Sequence, residues 1–434
     1  MKWPTCCKWI GAFAFTAFGL FSAWVIWDNW GRFLIETPPS AILNGPEQPN
    51  ATTLKRGEYL AQIGGCIACH TAKNGALLAG GRRIDTPYGA VYSSNLTPDK
   101  EHGLGQWRAQ DFWMALHWGR SRDGHVLLPV FPYNHTSVLT SDDVQALFSW
   151  LQTVPAIKTA QPEHRLTWPL GTQPVIAVWR SLFFKPSDFQ VQSEQSADWN
   201  LGAYLIQSAG HCATCHGQRN ALGSFPAVDD VSGGYLDAQM WVAPSLKDPS
   251  QTSLNHSHTS DIAVLLRAGQ SPLARVSGPM AEFVQNSSQY LTQHDAHAIA
   301  TYLKSTIHLQ APHTEKQNAT VAATSSISGD ATYQKHCATC HGKNGEGKSD
   351  SYPALANNPA VMLDRPDNLI QMVLYGGYGP STQERPRPYG MPPYLFSLNN
   401  QQIADVLNHI RSQWGNQADA VSPMQVDRVR SAAY

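Results

Sequence analysis

The sequence predicts a mainly α-helical chain of three tandem domains behind an N-terminal apolar helix. Three observations lead there. Cys-x-x-Cys-His occurs three times, as CIACH at 66–70 and as CATCH at 212–216 and 337–341. Each motif follows a short helical approach and precedes, after a long loop, an amphipathic segment. An uncharged run of 19 residues, Trp9–Trp27, opens the chain behind Lys2 and Lys8.

Taken in order, the apolar run comes first. A helix needs about 20 apolar residues to cross a bilayer, whereas a signal-peptide core has roughly 7–15. Trp24, Trp27 and Trp30 crowd its outer end as interface anchors do, and no clear small-x-small cleavage site follows. Residues 1–30 are therefore expected to anchor the chain in a bacterial inner membrane. The lysines would face the cytoplasm and everything after Trp30 the periplasm; the alternative is a long signal peptide that is removed. Cys6 and Cys7 could carry lipid, but are expected to be unmodified.

The domains are placed at 51–155, 197–308 and 327–415, with a tail at 416–434. Gly-, Pro- and Ser-rich or polar stretches separate them at 31–50, 156–196 and 309–326. A length of 434 residues suits about three domains. Gly57, Tyr59 and Leu60 before the first motif match Gly202, Tyr204 and Leu205 before the second, and GDATYQKH before the third keeps Tyr333. Each unit closes with a helix. SDDVQALFSWL places Val144, Leu147, Phe148 and Leu151 on one stripe, with Ser141 as its cap. TQHDAHAIATYL begins at Thr292 and aligns Ile299, Tyr302 and Leu303; NNQQIADVLNHI aligns Ile403, Val406, Leu407 and Ile410. PVIAVWRSLFF at 174–184 is apolar on most sides, so it should pack between the first two domains or face a membrane or partner. The tail could reach a partner.

Charge excludes one class of function. Thirty-one basic and thirty-two acidic residues nearly cancel, leaving no surplus of the kind nucleic-acid binding needs. Cysteine usage points to another. Six of eight cysteines (Cys66, Cys69, Cys212, Cys215, Cys337 and Cys340) belong to the motifs, which lie too far apart to share a zinc ribbon. Each motif is self-contained, and Cys-x-x-Cys-His is the attachment sequence of a c-type haem. Three covalent haems c are expected, with His70, His216 and His341 as proximal iron ligands. Helix, motif, long loop and closing helix form the plan of class I cytochrome c.

The second axial ligand should lie before the closing helix, and methionine is a common choice. SGPMAEFV offers Met280 and YGMPPYLF offers Met391, each beside stiffening prolines. Met240, Met362 and Met372 are expected to fill core gaps. The first unit departs: in LLPVFPYNHTS, Phe131 stands in the methionine's place and cannot bind iron. The candidates are His135, His125, Met114 or an open position, with His135 in front. The carbonyls of Pro226 and Pro353 are candidates to orient the proximal histidines. GKNGEGKS at 342–349 is a loop over the haem edge; its spacing is wrong for a phosphate loop.

Longer strings extend the likeness. TPYGAVYSSNLTPDKEHGLGQW, RDGHVLLPVFPYNH, NLGAYLIQSAGHCATCHGQRNALG, SGPMAEFVQNSSQYLT, PRPYGMPPY and IADVLNHIRSQWGN resemble the three-haem cytochrome c subunits of bacterial membrane-bound periplasmic dehydrogenases. The resemblance runs from about Lys55 to the C-terminus and carries the proximal ligands to His70, His216 and His341 and the distal ones to Met280 and Met391. It implies a partner dehydrogenase catalytic subunit, in some cases with a small iron–sulfur subunit, and quinone or a terminal oxidase as acceptor. Family members serve quinoprotein alcohol dehydrogenases, flavoproteins oxidising gluconate, sorbitol or fructose, or molybdenum hydroxylases. Methionine is frequent at the Phe131 position beside alcohol and gluconate enzymes, and FPYNH looks more like the molybdenum-associated type.

A haem with both axial positions filled moves electrons and makes no bonds, so the chain reads as a relay and not as an enzyme. The competing class is a stand-alone enzyme of the cytochrome c peroxidase kind working at the first haem. A ligand sensor would need an output domain that the sequence lacks.

Overall fold

The computed structural model describes residues 5–32, 36–43, 49–224, 227–307, 323–348 and 351–432, with the side chains at 5–8, 10, 11 and 323–326 left out. It divides into two units, Met1–Ala61 with Cys69–Gln190 and Gln62–Ala68 with Val191–Tyr434.

In the first unit, α1 (Thr5–Ile26) runs into a π-helical turn, Trp27–Gly31. Helix α2 (Ala51–Ile63) leads to the first motif. A three-stranded antiparallel sheet joins β1 (Arg83–Thr86), β2 (Gly89–Tyr92) and β3 (Arg165–Leu166). Between β2 and β3 lie α3 (Ala109–Trp118), α4 (Tyr133–Thr136) and α5 (Ser141–Leu151), and α6 (Gln173–Phe183) follows. Thr140, one residue before the expected Ser141, caps α5: its backbone is still extended and its hydroxyl accepts the Asp143 N–H. The stripe is as expected, with Val144, Leu147 and Leu151 buried.

The N-terminal segment requires a correction. Among the described residues no helix is long and apolar enough to cross a membrane, so the expected inner-membrane anchor, and the localisation built on it, is withdrawn. The physical reason lies at the helix's end. Val25 turns inward onto Val126, Ile176 and Ala177, so the uncharged stretch left outside falls short of the about 20 residues a bilayer needs. The junction is polar and buried. Asn29 donates to Ala177 O at 3.1 Å and Ser181 Oγ at 2.7 Å. Arg180 donates to Trp118 O and Asn29 Oδ1, both at 3.1 Å, and pairs with Asp28 at 3.5 Å. A guanidinium this deeply buried survives only with such partners. The apolar segment at 174–184 is thus α6, packed by Ile176 and Ala177 within the first unit.

The second unit begins with α7 (Ala197–Gln207), the second motif and a hairpin of β4 (Gly234–Leu236) and β5 (Trp241–Ala243). Then come α8 (Thr259–Ala268), α9 (Gly278–Asn286) and α10 (Gln293–Thr306). Helix α11 (Ala323–His336) leads to the third motif, followed by α12 (Asp367–Tyr375), the paired β6 (Gly377–Tyr378) and β7 (Gly390–Met391), α13 (Asn400–Ser412) and α14 (Pro423–Ser431). Thr292 and Asn399 cap α10 and α13.

One device recurs three times. A methyl at Gly57 in α2 would lie 2.0 Å from Ala146 O in α5; at Gly202 in α7, 2.0 Å from Ala298 O in α10; at Gly329 in α11, 2.3 Å from Asp405 O in α13. Each approach helix therefore crosses its closing helix backbone against backbone, at a place only glycine allows. The crossing brings the stripes inward, and Ile403, Val406, Leu407 and Ile410 are all buried. The tail folds back as α14: Val421, Val426 and Val429 join Ile370, Leu374 and Ile403 in one core cluster. Arg428 reaches Asp367 at 2.8 Å.

Candidate haem sites

Each Cys-x-x-Cys-His motif forms a helical turn, Cys66–Cys69, Ala213–His216 and Ala338–His341. The turn alone does not orient the histidine; a carbonyl from a distant loop does. His70 Nδ1 meets Ser94 O at 2.7 Å, His216 Nδ1 meets Pro244 O at 2.8 Å, and His341 Nδ1 meets Pro353 O at 2.9 Å. With the Nδ1 proton donated, Nε2 keeps its lone pair for a metal. Burial pushes all three imidazoles below their usual 6.5, so they are neutral and able to ligate. Pro353 is the carbonyl expected from sequence. Pro226 lies outside the described residues, and Pro244, delivered by the β4–β5 hairpin, serves His216. Ser94 and Pro244 carry no sequence signal, because each belongs to a loop without periodicity.

The six motif cysteines form no disulfide. Burial holds the Cys212 thiol up at about 12 and the Cys337 thiol at about 11. A zinc site wants thiolates, and no group of three or more His, Cys, Asp or Glu gathers among the described residues. Covalent thioether attachment, which consumes a thiol at each cysteine, suits these groups better.

The second and third motifs open into one cavity of about 1090 Å³, lined by Cys212, His216 and Met280 and by Cys337, His341 and Met391. That exceeds the about 300–1,000 Å³ of a single ligand pocket. Ile299 and Leu303 of α10 and Val406, Leu407 and Ile410 of α13 supply apolar wall, which is where the predicted stripes are used. Met280 stands on the first turn of α9 and not in a loop, because Pro279 starts a helix there. Trp241 packs where a Gly278 side chain would go, 2.6 Å from a Cβ built on that residue. Met391 is fixed by its pairing with Gly377. Met372, expected to be a core filler, also lines the cavity, while Met240 packs against the core cluster around Ile370, Leu374 and Ile403.

The first site lacks a methionine at the matching place. Isolated bridges join Arg120 to Val126 and Gln270 to Arg275, and Phe131 lies as far beyond the first as Met280 beyond the second. His135, on α4, is completely buried. His125 is 46% exposed and paired with Asp123 at 2.5 Å, and Met114 sits on α3. The loop after the third motif folds over it: Gly347 N–H donates to His341 O at 2.7 Å and Glu346 accepts from Asn344 N–H at 2.8 Å.

Neutral, pre-oriented imidazoles, thiols without disulfides and a large apolar cavity lined by Met280 and Met391 fit covalently bound haem c. The comparisons agree. The family model described as Cytochrome c matches residues 326–414. The chain is 36% identical, over 90% of its length and 86% of the relative's, to the cytochrome c subunit of a quinone-dependent alcohol dehydrogenase from Gluconacetobacter polyoxogenes. It is 34% identical to the gluconate 2-dehydrogenase cytochrome c subunit of Pantoea cypripedii, covering 86% and 88% of the two chains. To the fructose dehydrogenase cytochrome subunit of Gluconobacter japonicus it is 32% identical, covering 89% and 84%. The chain belongs to the cytochrome c subunits of dehydrogenase complexes, electron-transfer proteins that leave substrate oxidation to a catalytic subunit.

Proposed function

We propose that the chain carries three haems c, one in each of three tandem class I cytochrome c domains. Bound haem c accepts and gives up one electron at a time at its iron. The chain thereby takes the electron pair removed by a dehydrogenase singly and passes it on to quinone or a terminal oxidase. The observation that supports this most is the repeated histidine-to-carbonyl bond, which readies Nε2 of His70, His216 and His341 in the same way. Met280 and Met391 would be the second iron ligands beside His216 and His341, and His135 the one beside His70. The relatives' names include alcohol, gluconate and fructose dehydrogenases and a nicotinate dehydrogenase subunit, 33% identical over 87% of this chain, and the FPYNH string favours a molybdenum hydroxylase as partner.

Haem quantitation on the purified chain tests this reading. Three haems per chain are expected, falling by one for each motif whose cysteines are replaced by alanine. Two or fewer in the unaltered chain would overturn the count. A His135→Ala chain should lose the low-spin signal of one haem; an unchanged spectrum removes His135 as a ligand.

A further inference from the structure

Asn368 sits in α12 and uses both ends of its amide on one residue of β5. Its Oδ1 accepts from Val242 N–H at 2.7 Å and its Nδ2 donates to Val242 O at 2.8 Å. An amide that satisfies both backbone groups of a strand residue acts as a short extra strand, and it fixes that residue in two directions. What β5 carries makes this consequential. Two residues beyond Val242, the carbonyl of Pro244 orients His216. One residue before it, Trp241 packs against Gly278, two positions from Met280. The strand therefore touches both sides of the second haem site.

Helix α12 is tied just as closely to the third site. It ends at Tyr375, and two residues on Gly377 pairs with Met391. Other contacts join the hairpin to this helix farther from Pro244. Tyr235 donates to Asp367 Oδ1 at 3.2 Å beneath the Arg365 guanidinium, 3.5 Å from its ring centre. Gln371 donates to Gln239 O at 3.1 Å. Of these hairpin–helix contacts, the one from Asn368 lies within two residues of the carbonyl that orients His216.

We propose that Asn368 is a positioning residue for electron transfer: by clasping Val242 it sets the orientation of His216 and holds the second haem at a fixed angle and distance to the third. The inference rests on the reading that both motifs carry haem. Because residues of both motifs line one cavity, the docking of β5 on α12 decides how the two groups face each other. Exchange of an electron between neighbours depends steeply on that geometry.

The test uses the full chain with its haems, comparing Asn368→Ala, Asn368→Asp and Gln371→Ala. The readouts are the Soret circular-dichroism couplet of neighbouring haems, the electron paramagnetic resonance signal of each haem, and the exchange rate between the second and third. Asn368→Ala should weaken the couplet, alter the signal of the His216 haem alone and slow exchange by about tenfold, the lower end of what outer-shell substitutions cost. Asn368→Asp still accepts from Val242 N–H but cannot donate to its carbonyl, so it should fall between. Gln371→Ala should match the unaltered chain. An Asn368→Ala chain with its full haem complement and an unchanged couplet and signal overturns the proposal. If that variant does not fold, Asn368→Asp decides: a weakened couplet supports the proposal and an unaltered one overturns it. A single haem shared between the second and third motifs of the unaltered chain would instead overturn the functional reading beneath it.

Discussion

Replacing Gly202 by alanine is the sharpest probe of the helix crossing. The added methyl would sit 2.0 Å from the oxygen and 2.5 Å from the carbon of the Ala298 carbonyl, and 3.0 Å from Ile299 N. All three are backbone atoms of α10, so no side chain can rotate away and the helices must part. Overpacking costs about 1–3 kcal/mol, and a backbone neighbour places this case at about 3. Alanine returns about 1 kcal/mol of helix propensity. The net loss is about 2 kcal/mol, which lowers Tm by roughly 4–8 °C for a unit of this size. Thermal unfolding of the haem-loaded chain, followed by Soret absorbance, measures it. Gly19→Ala is the control: nothing lies within 4 Å of its Cβ, so the same propensity gain should leave Tm unchanged or raised. A Gly202→Ala chain melting at or above the unaltered one would refute the crossing argument.

Met391→Ala should abolish the methionine–iron charge-transfer band of one haem and lower its potential while sparing the haem at His216, and Met280→Ala should do the reverse; absorbance and redox titration check both. Deleting residues 417–434 removes the fully buried Val426 and Val429, a loss of about 3–6 kcal/mol at about 1.5–3 per buried valine. Unfolding and limited proteolysis would show it, and an unshifted melt would mean the tail serves only a partner. His409 is pushed below its usual 6.5 by burial, against a weaker upward pull from Asp330. The folded ring stays neutral where the unfolded one takes up a proton, so stability present above 6.5 should be lost as pH falls below it. His409→Gln should flatten that slope in melts taken across the window.

The chemistry was legible because attachment is a local matter. Two thiols and an imidazole must lie on one helical turn, and that requirement is written as five consecutive residues. The closing helices were legible for a related reason: Ile403, Val406, Leu407 and Ile410 repeat with the period of a helix, and all four are buried. Legibility ended where a partner comes from far along the chain. Ser94 and Pro244 serve histidines 24 and 28 residues away, from loops whose course no periodicity reveals. The packing of the tail was hidden for the same reason, since Val421, Val426 and Val429 make sense only against Ile370 and Leu374. The apolar opening run misled differently: hydropathy registers Val25 but not the Val126 and Ile176 that cover it.

The amino-acid sequence by itself determined how many Cys-x-x-Cys-His motifs there are and which helix stripes are apolar, since both follow from short-range spacing. Only the tertiary structure decided that residues of the second and third motifs line a single cavity, and that an asparagine of α12 bonds both backbone groups of a residue in β5. Those outcomes depend on how closely helices cross and on where loops dock, and both are set by contacts between residues far apart in the chain.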